Sequence, residues 1–195
     1  MGYHRAGFEV TGVDHVAQPR YPFAHAVADV LTLTPGYLRG FDLVHASPPC
    51  QAHSLGSQRW IAAGRSYPDL IAATRELLEA AGVSWVLENV PRAPVRADVV
   101  LRGEMFGLKV CRQRHFELGG WWCMAPALPL RGSVKRGDFV TCAGHGGHGS
   151  NSLAVWRKAI GIDWMSKQET AEAIPPCYTE HLGREFLAQQ RRAAA

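Results

Sequence analysis

Two strand-like segments on either side of one helical segment do most to limit the folds open to this chain of 195 residues. Residues 41–46 form an apolar run typical of a buried strand, and residues 83–87 are apolar and β-prone. Between them, residues 68–81 carry apolar side chains at helical spacing, with Pro68 in the first turn and Gly82 after the last. This order predicts parallel strands joined by a crossover helix, and therefore an α/β fold.

Further elements are predicted on both sides of this unit. Residues 3–7 have the pattern of a helix end closed by a glycine, and residues 8–13 predict a strand that ends in Asp14. Ser166 and Glu169 have the spacing of a capping box, which predicts the start of a helix that Pro175-Pro176 ends. We also expect a strand at 139–141, a helix at 152–159 and a last helix from about Tyr178 to Gln190.

The composition changes after Phe116, where residues 119–149 are rich in Gly, Trp and Pro. We therefore expect three parts: a core at 1–117, a small irregular appendage at 118–150 and C-terminal helices at 151–195.

Charge and cysteine content narrow the class of protein. A net charge of +4 is compatible with a nucleic-acid partner but does not establish one. No apolar run is long enough to span a bilayer, and the first residues lack the long apolar segment of a signal peptide. Five widely spaced cysteines form no disulfide framework and suit a reducing compartment, so a cytoplasmic location without a membrane partner is predicted.

The tetrad Ser47-Pro48-Pro49-Cys50 carries the chemistry of the chain. It closes the strand at 41–46, and its two prolines fix the backbone and remove two N–H donors, so that neither strand nor helix continues. Cys50 is thereby held just past a strand end, where the sites of parallel α/β sheets lie. Glu88 likewise follows the strand at 83–87. The Cys50 thiol as nucleophile and the Glu88 carboxyl as acid are therefore expected at neighbouring strand ends.

Three ordered motifs resemble those of the cytosine-5 DNA methyltransferase family. Pro48-Pro49-Cys50-Gln51 resembles its nucleophile motif, Glu88-Asn89-Val90 its acid motif, and the segment 112–116 its Arg-x-Arg-x-aromatic motif, although Val110 stands where the family usually has Gln. The resemblance covers residues 7–116 well and the last third loosely. It implies a doubly wound, mostly parallel, Rossmann-like sheet of the class I S-adenosylmethionine-dependent methyltransferases.

The resemblance also implies roles for individual residues. The Cys50 thiolate would add to C6 of a cytosine that has left the DNA helix, and C5 would then accept the methyl group. Glu88 would hydrogen-bond the ring N3 and amino edge, and Arg112 or Arg114 would contact the ring or its phosphate. As two residues of one strand, Arg112 and Arg114 would share a face.

S-adenosylmethionine is the implied cofactor. Asp14, at the end of a strand, has the position of an acid that binds ribose hydroxyls. Asp29 resembles the acid that contacts the adenine amino group, and Phe8 and Pro49 are candidate walls of the adenosyl pocket. The family's opening strand and Gly-rich loop have no counterpart in this sequence, whose first residues resemble the helix after that loop, so we expect an N-terminally incomplete fold, from truncation or a misplaced start.

Several alternatives stay open at this point. The chain would bind duplex DNA as a monomer, but it is also compatible with a catalytically inactive DNA- or cofactor-binding relic, or with an RNA cytosine-5 methyltransferase. A thiol hydrolase using Cys50 with His45 or His53 is weaker, because no third orienting group is apparent. The stretch from Cys142 to His148 contains two histidines but fits no common zinc spacing, so we expect no metal. The C-terminal segment resembles that of short phage-like members, whose last helix packs back on the core.

Overall fold

The computed structural model of this protein describes residues 1–127, 132–142 and 152–194. Within these ranges no helix combines the length and the apolar character needed to cross a membrane.

Two β-sheets form the frame of the molecule. A parallel pair consists of β1 (Thr11–Asp14) and β2 (Ala24–Val27). A four-stranded sheet, in the order β3-β4-β6-β5, consists of β3 (Leu43–Ala46), β4 (Ser84–Asn89), β5 (Val99–Leu101) and β6 (Arg114–Gly119). β3 and β4 are parallel, whereas β6 is antiparallel to both β4 and β5. The predicted α/β class is confirmed, and the four-stranded sheet is mixed.

The helices, in chain order, are α1 (Gly2–Ala6), α2 (Pro35–Leu38), α3 (Gln58–Ala62), α4 (Ile71–Ala81), α5 (Leu153–Ile160), α6 (Lys167–Glu172) and α7 (Pro176–Ala193). The capping box of α6 is confirmed, because Ser166 Oγ accepts from the Glu169 backbone while the Glu169 carboxylate accepts from the Ser166 N–H. Pro176 does not end a helix but opens α7, where its missing N–H costs nothing.

Helix α4 forms because its apolar residues fall on one face and both of its ends have partners. The Asp69 carboxylate accepts a hydrogen bond from the Ile71 N–H at 3.2 Å, so the helix begins three residues after Pro68. Gly82 ends it in the left-handed conformation, with φ of 67°.

The two faces of the four-stranded sheet are covered by different helices, because successive strand side chains point to opposite sides. On one face, Trp85 and Leu87 pack with Ile71 and Leu78 of α4. On the other, Val86, Phe116 and Leu118 pack with Tyr178 and Leu182 of α7. These two layers bury β4, which carries Glu88 at its end.

Other predicted boundaries differ from the structure. Strand β6 runs to Gly119 and so crosses the expected division between residues 117 and 118. The strand expected at 139–141 is a single bridge between Val110 and Val140. The short elements β2, α2, α3 and β5 had no counterpart in the sequence pattern.

Candidate active site

Cys50 is held in a loop that is tied to the neighbouring strand. The Asn89 side-chain amide, which is buried at the end of β4, donates to the Pro48 carbonyl at 3.0 Å. The Cys50 carbonyl in turn accepts from the backbone N–H groups of His53 (3.0 Å) and Ser54 (2.9 Å), which starts a turn. Asn89 therefore joins the thiol loop to the strand that bears Glu88.

Glu88 and Arg114 form a buried ion pair beside this loop. The Arg114 Nε lies 2.9 Å from the Glu88 Oε1, and only 5% of Glu88 is exposed. The antiparallel register of β4 and β6 sets Phe116 opposite Glu88, so Arg114, two residues earlier, is a diagonal neighbour on the same face. Burial raises the pKa of Glu88, and Arg114, a Ser47 hydrogen bond and Arg112 partly offset that rise.

The Cys50 thiol lies close enough to this pair to respond to both charges. Burial raises the pKa of Cys50, the Arg114 guanidinium acts to lower it, and the Glu88 carboxylate raises it further. The structure therefore brings together three of the predicted catalytic residues, Cys50, Glu88 and Arg114.

Arg112 lies elsewhere than the sequence pattern predicted. Because β6 begins at Arg114, Arg112 precedes the strand and does not share a strand face with Arg114. Its guanidinium is buried and donates to the carbonyl oxygens of Cys142 (2.7 Å) and Ala171 (2.5 Å). Burial lowers the pKa of Arg112 to about 10. Arg112 thus ties two distant segments together, while its charge still reaches Glu88.

Two of the residues predicted for the cofactor, Asp14 and Asp29, lie at the carboxyl ends of the paired strands β1 and β2, where the Ala28 N–H donates to the Asp14 carbonyl at 3.0 Å. Asp14 lines a cavity of about 200 Å³ with two aromatic side chains, Tyr21 and Trp164. Asp29 instead caps a 3₁₀ turn by accepting from the Leu31 N–H at 2.9 Å. Phe8 packs edge-on against Tyr3 and tilted against Phe186, and Pro49 stays in the thiol loop.

A carboxylate beside aromatic rings suits the ribose and base of a nucleoside, but the cavity is smaller than the roughly 300–1,000 Å³ usual for a ligand pocket. Of the four predicted residues, Asp14 lines this cavity and the other three do not.

Both histidines considered for a thiol hydrolase have other partners. His45 Nδ1 lies 2.7 Å from the Tyr3 hydroxyl, and His45 Nε2 lies 3.0 Å from Ser47 Oγ. His53 Nε2 lies 2.9 Å from Asp69 Oδ2, an orienting group that sequence spacing did not reveal.

Tyr3 and Ser47 are the site residues whose roles the sequence did not predict. Ser47 directly follows β3 and lies two residues after His45, a spacing that is visible in the sequence and that places two extended residues on one face. Tyr3 carries no such pattern, because it reaches His45 from α1 across 42 residues.

No protein-family model and no curated protein matches this chain. Among the described residues, no group of three or more His, Cys, Asp or Glu side chains is placed to hold a metal ion. The stretch considered for a metal, Cys142 to His148, lies outside the described residues except for Cys142.

Proposed function

We propose that this chain transfers a methyl group from S-adenosylmethionine to C5 of cytosine in DNA, with Cys50 as the nucleophile. The observation that carries the proposal is the Cys50 thiol beside the buried Glu88–Arg114 pair. A doubly wound, Rossmann-like sheet is the finer form of the observed α/β fold that this function implies.

The reaction needs a thiolate and a proton-holding acid at one place. The Cys50 sulfur attacks C6 of the extruded ring, and the electron pair displaced from the C5–C6 bond makes C5 nucleophilic. Glu88 hydrogen-bonds N3 and stabilises the charge that develops on the ring, and its raised pKa suits an acid that shares a proton with the ring. S-adenosylmethionine would supply the methyl group that C5 takes and would leave as S-adenosylhomocysteine. A base from the solvent then removes the C5 proton, and the electron pair of that C–H bond re-forms the C5–C6 double bond and expels the Cys50 thiolate.

Arg114 acts on both of these groups. Its guanidinium pairs with the Glu88 carboxylate and lies near the Cys50 sulfur, where it favours the thiolate. We assign Arg114 to the site on this geometry, and Arg112 to the support of the surrounding segments.

The covalent step is tested with DNA in which cytosine is replaced by 5-fluorocytosine, because fluorine at C5 blocks the loss that releases the enzyme. Purified protein is incubated with S-adenosylmethionine and a pool of such duplexes of mixed sequence, then denatured. We expect an adduct that survives denaturation and maps to Cys50. Cys50→Ser abolishes the adduct and Glu88→Gln slows its formation strongly.

His53→Gln is the matched control, since a thiol hydrolase based on Cys50 and His53 would need that imidazole. The methyltransferase retains its adduct in this variant. An adduct that persists in Cys50→Ser, or none with the unaltered protein, contradicts the proposal. Label transfer from tritiated S-adenosylmethionine to tRNA instead of duplex DNA would favour the RNA enzyme.

A further inference from the structure

A chain of hydrogen bonds runs from helix α1 through β3 to the acid of the candidate site. The Tyr3 hydroxyl contacts His45 Nδ1 at 2.7 Å, and His45 Nε2 contacts Ser47 Oγ at 3.0 Å. The parallel register brings Ser47 next to Glu88, because His45 lies opposite Val86 and Ala46 opposite Leu87. In this position a hydrogen bond from Ser47 acts to lower the pKa of Glu88.

The donors and acceptors in this series of hydrogen bonds have one favoured order, from Tyr3 to Glu88. Burial lowers the pKa of His45 to about 4, so near neutral pH its imidazole carries a single N–H. Burial raises the pKa of Tyr3, which keeps its phenol protonated and able to donate to Nδ1. The imidazole hydrogen then lies on Nε2 and is donated to Ser47 Oγ. The single hydrogen of Ser47 is thereby left for the Glu88 carboxylate.

We propose that His45 is a positioning residue that, held by Tyr3, turns the Ser47 hydroxyl toward the Glu88 carboxylate. Its meaning for catalysis rests on the proposed function. The ordering of the hydrogens itself involves four side chains: Tyr3 of α1, His45 of β3, Ser47 directly after β3, and Glu88 of β4.

Other charged groups around Glu88 act in addition to this chain. Arg114 of β6 pairs with the carboxylate, and Arg112 acts on it from the preceding segment. Cys50 lies on the loop side, and the Tyr178 hydroxyl of α7 donates to the Arg112 carbonyl at 2.7 Å. Because the variants below leave these groups in place, their effects report on the hydrogen-bond chain.

The test measures the proton affinity of Glu88 directly. The ¹³C resonance of its side-chain carboxyl, assigned with Glu88→Gln, is titrated in the unaltered protein and in two variants. Ser47→Ala removes the donor and raises the proton affinity of Glu88 about tenfold. Tyr3→Phe leaves the ring but frees Nδ1 to carry the hydrogen, so Ser47 donates to His45 instead; we expect a rise on the order of threefold. Tyr37→Phe, at an exposed tyrosine of α2, leaves the titration unchanged.

A second readout is the tautomer of His45. Its ¹⁵N shifts should show the hydrogen on Nε2 in the unaltered protein and a shift toward Nδ1 in Tyr3→Phe. An Nδ1–H form in the unaltered protein overturns the proposal, and so does an unchanged Glu88 titration in Ser47→Ala. If no DNA is methylated by any form, the proposed function fails while these two measurements still decide the positioning role. If DNA is methylated, the pH profile of the methylation rate should shift in Ser47→Ala and Tyr3→Phe in the same direction as the Glu88 titration, while KM for DNA stays unchanged.

Discussion

At the scale of single residues, the charge around Cys50 decides how readily its thiol loses a proton. Burial and Glu88 raise the pKa of the thiol, and Arg114 opposes them. The group is therefore mostly protonated near neutral pH, and the reactive thiolate increases as the pH rises toward the pKa.

Removing the Arg114 cation should make Cys50 less reactive. We expect Arg114→Gln to slow alkylation of Cys50 by iodoacetamide at pH 8 about three- to tenfold, because the thiol pKa rises further. Peptide mapping by mass spectrometry follows Cys50 separately from the other cysteines. Arg114→Lys, which keeps the charge, should stay near the original rate, and so should the exposed Arg136→Gln. Equal or faster alkylation in Arg114→Gln would show that the cation does not act on the sulfur.

The position of a site residue could be predicted from the sequence where that residue lies at the end of a recognisable strand. Cys50 and Glu88 each follow a predicted strand, and parallel pairing of β3 and β4 sets their loops side by side. The position of Arg112 could not be predicted in this way, because its partners are carbonyl groups 30 and 59 residues later in the chain. The same holds for Tyr3, whose contact with His45 depends on how α1 is docked.

At the scale of elements, the close approach of α1 to α7 holds Tyr3 in place. Gly2 of α1 has no room for a side chain, since a β-carbon there would overlap Thr179 Oγ1 and the Pro176 carbonyl of α7. Gly183 of α7 likewise faces Tyr3 and Phe8 at close range. These glycines let two helices pack almost backbone to backbone.

Filling that contact should therefore destabilise the fold. We expect Gly2→Ala to lower the free energy of unfolding in urea by about 1–3 kcal/mol, because a backbone carbonyl cannot yield as a flexible side chain would. Gly36→Ala is the matched control in α2, where the new β-carbon would meet only Thr34 Oγ1 at 3.7 Å. That change should be neutral or stabilise by up to about 1 kcal/mol. A similar effect of both substitutions would argue against the close packing of α1.

Elements with strong periodicity or capping motifs were predictable, and the weakly marked ones were not. The α4 helix and the capping box of α6 follow from local chemistry. Strand β5, with three residues, forms because β6 offers it a partner rather than because of its own pattern. Val140 is the opposite case: its neighbourhood is β-prone, but it pairs only with Val110, and a single bridge does not make a strand.

At the scale of the whole molecule, Arg112 connects the sheet to two later parts of the chain. Its guanidinium is bonded to the Cys142 carbonyl and to the Ala171 carbonyl of α6. Next to the first of these, the Val140 N–H donates to the Lys109 carbonyl at 2.7 Å. Together these bonds fix the segment around residue 140 against the segment that leads into β6.

Loss of this guanidinium should loosen that segment before it unfolds the core. We expect Arg112→Gln to lower the free energy of unfolding by about 2–3 kcal/mol, since two charge-assisted hydrogen bonds are lost from a buried site. Amide hydrogen exchange at Val140 should accelerate more than exchange in β4. The exposed Arg136→Gln should change stability by less than about 0.5 kcal/mol. Uniform acceleration across β4 and Val140 would mean that Arg112 stabilises only the core.

The two carbonyl partners of Arg112 have a consequence for how a newly made chain acquires its shape. On the ribosome, Arg112 is synthesised before Ala171, so its hydrogen bond to the Ala171 carbonyl can form only after 59 further residues have been added. Such sequence-distant closures slow folding. The neighbourhood of residue 140 should accordingly be among the last regions to mature, after the sheet has already assembled.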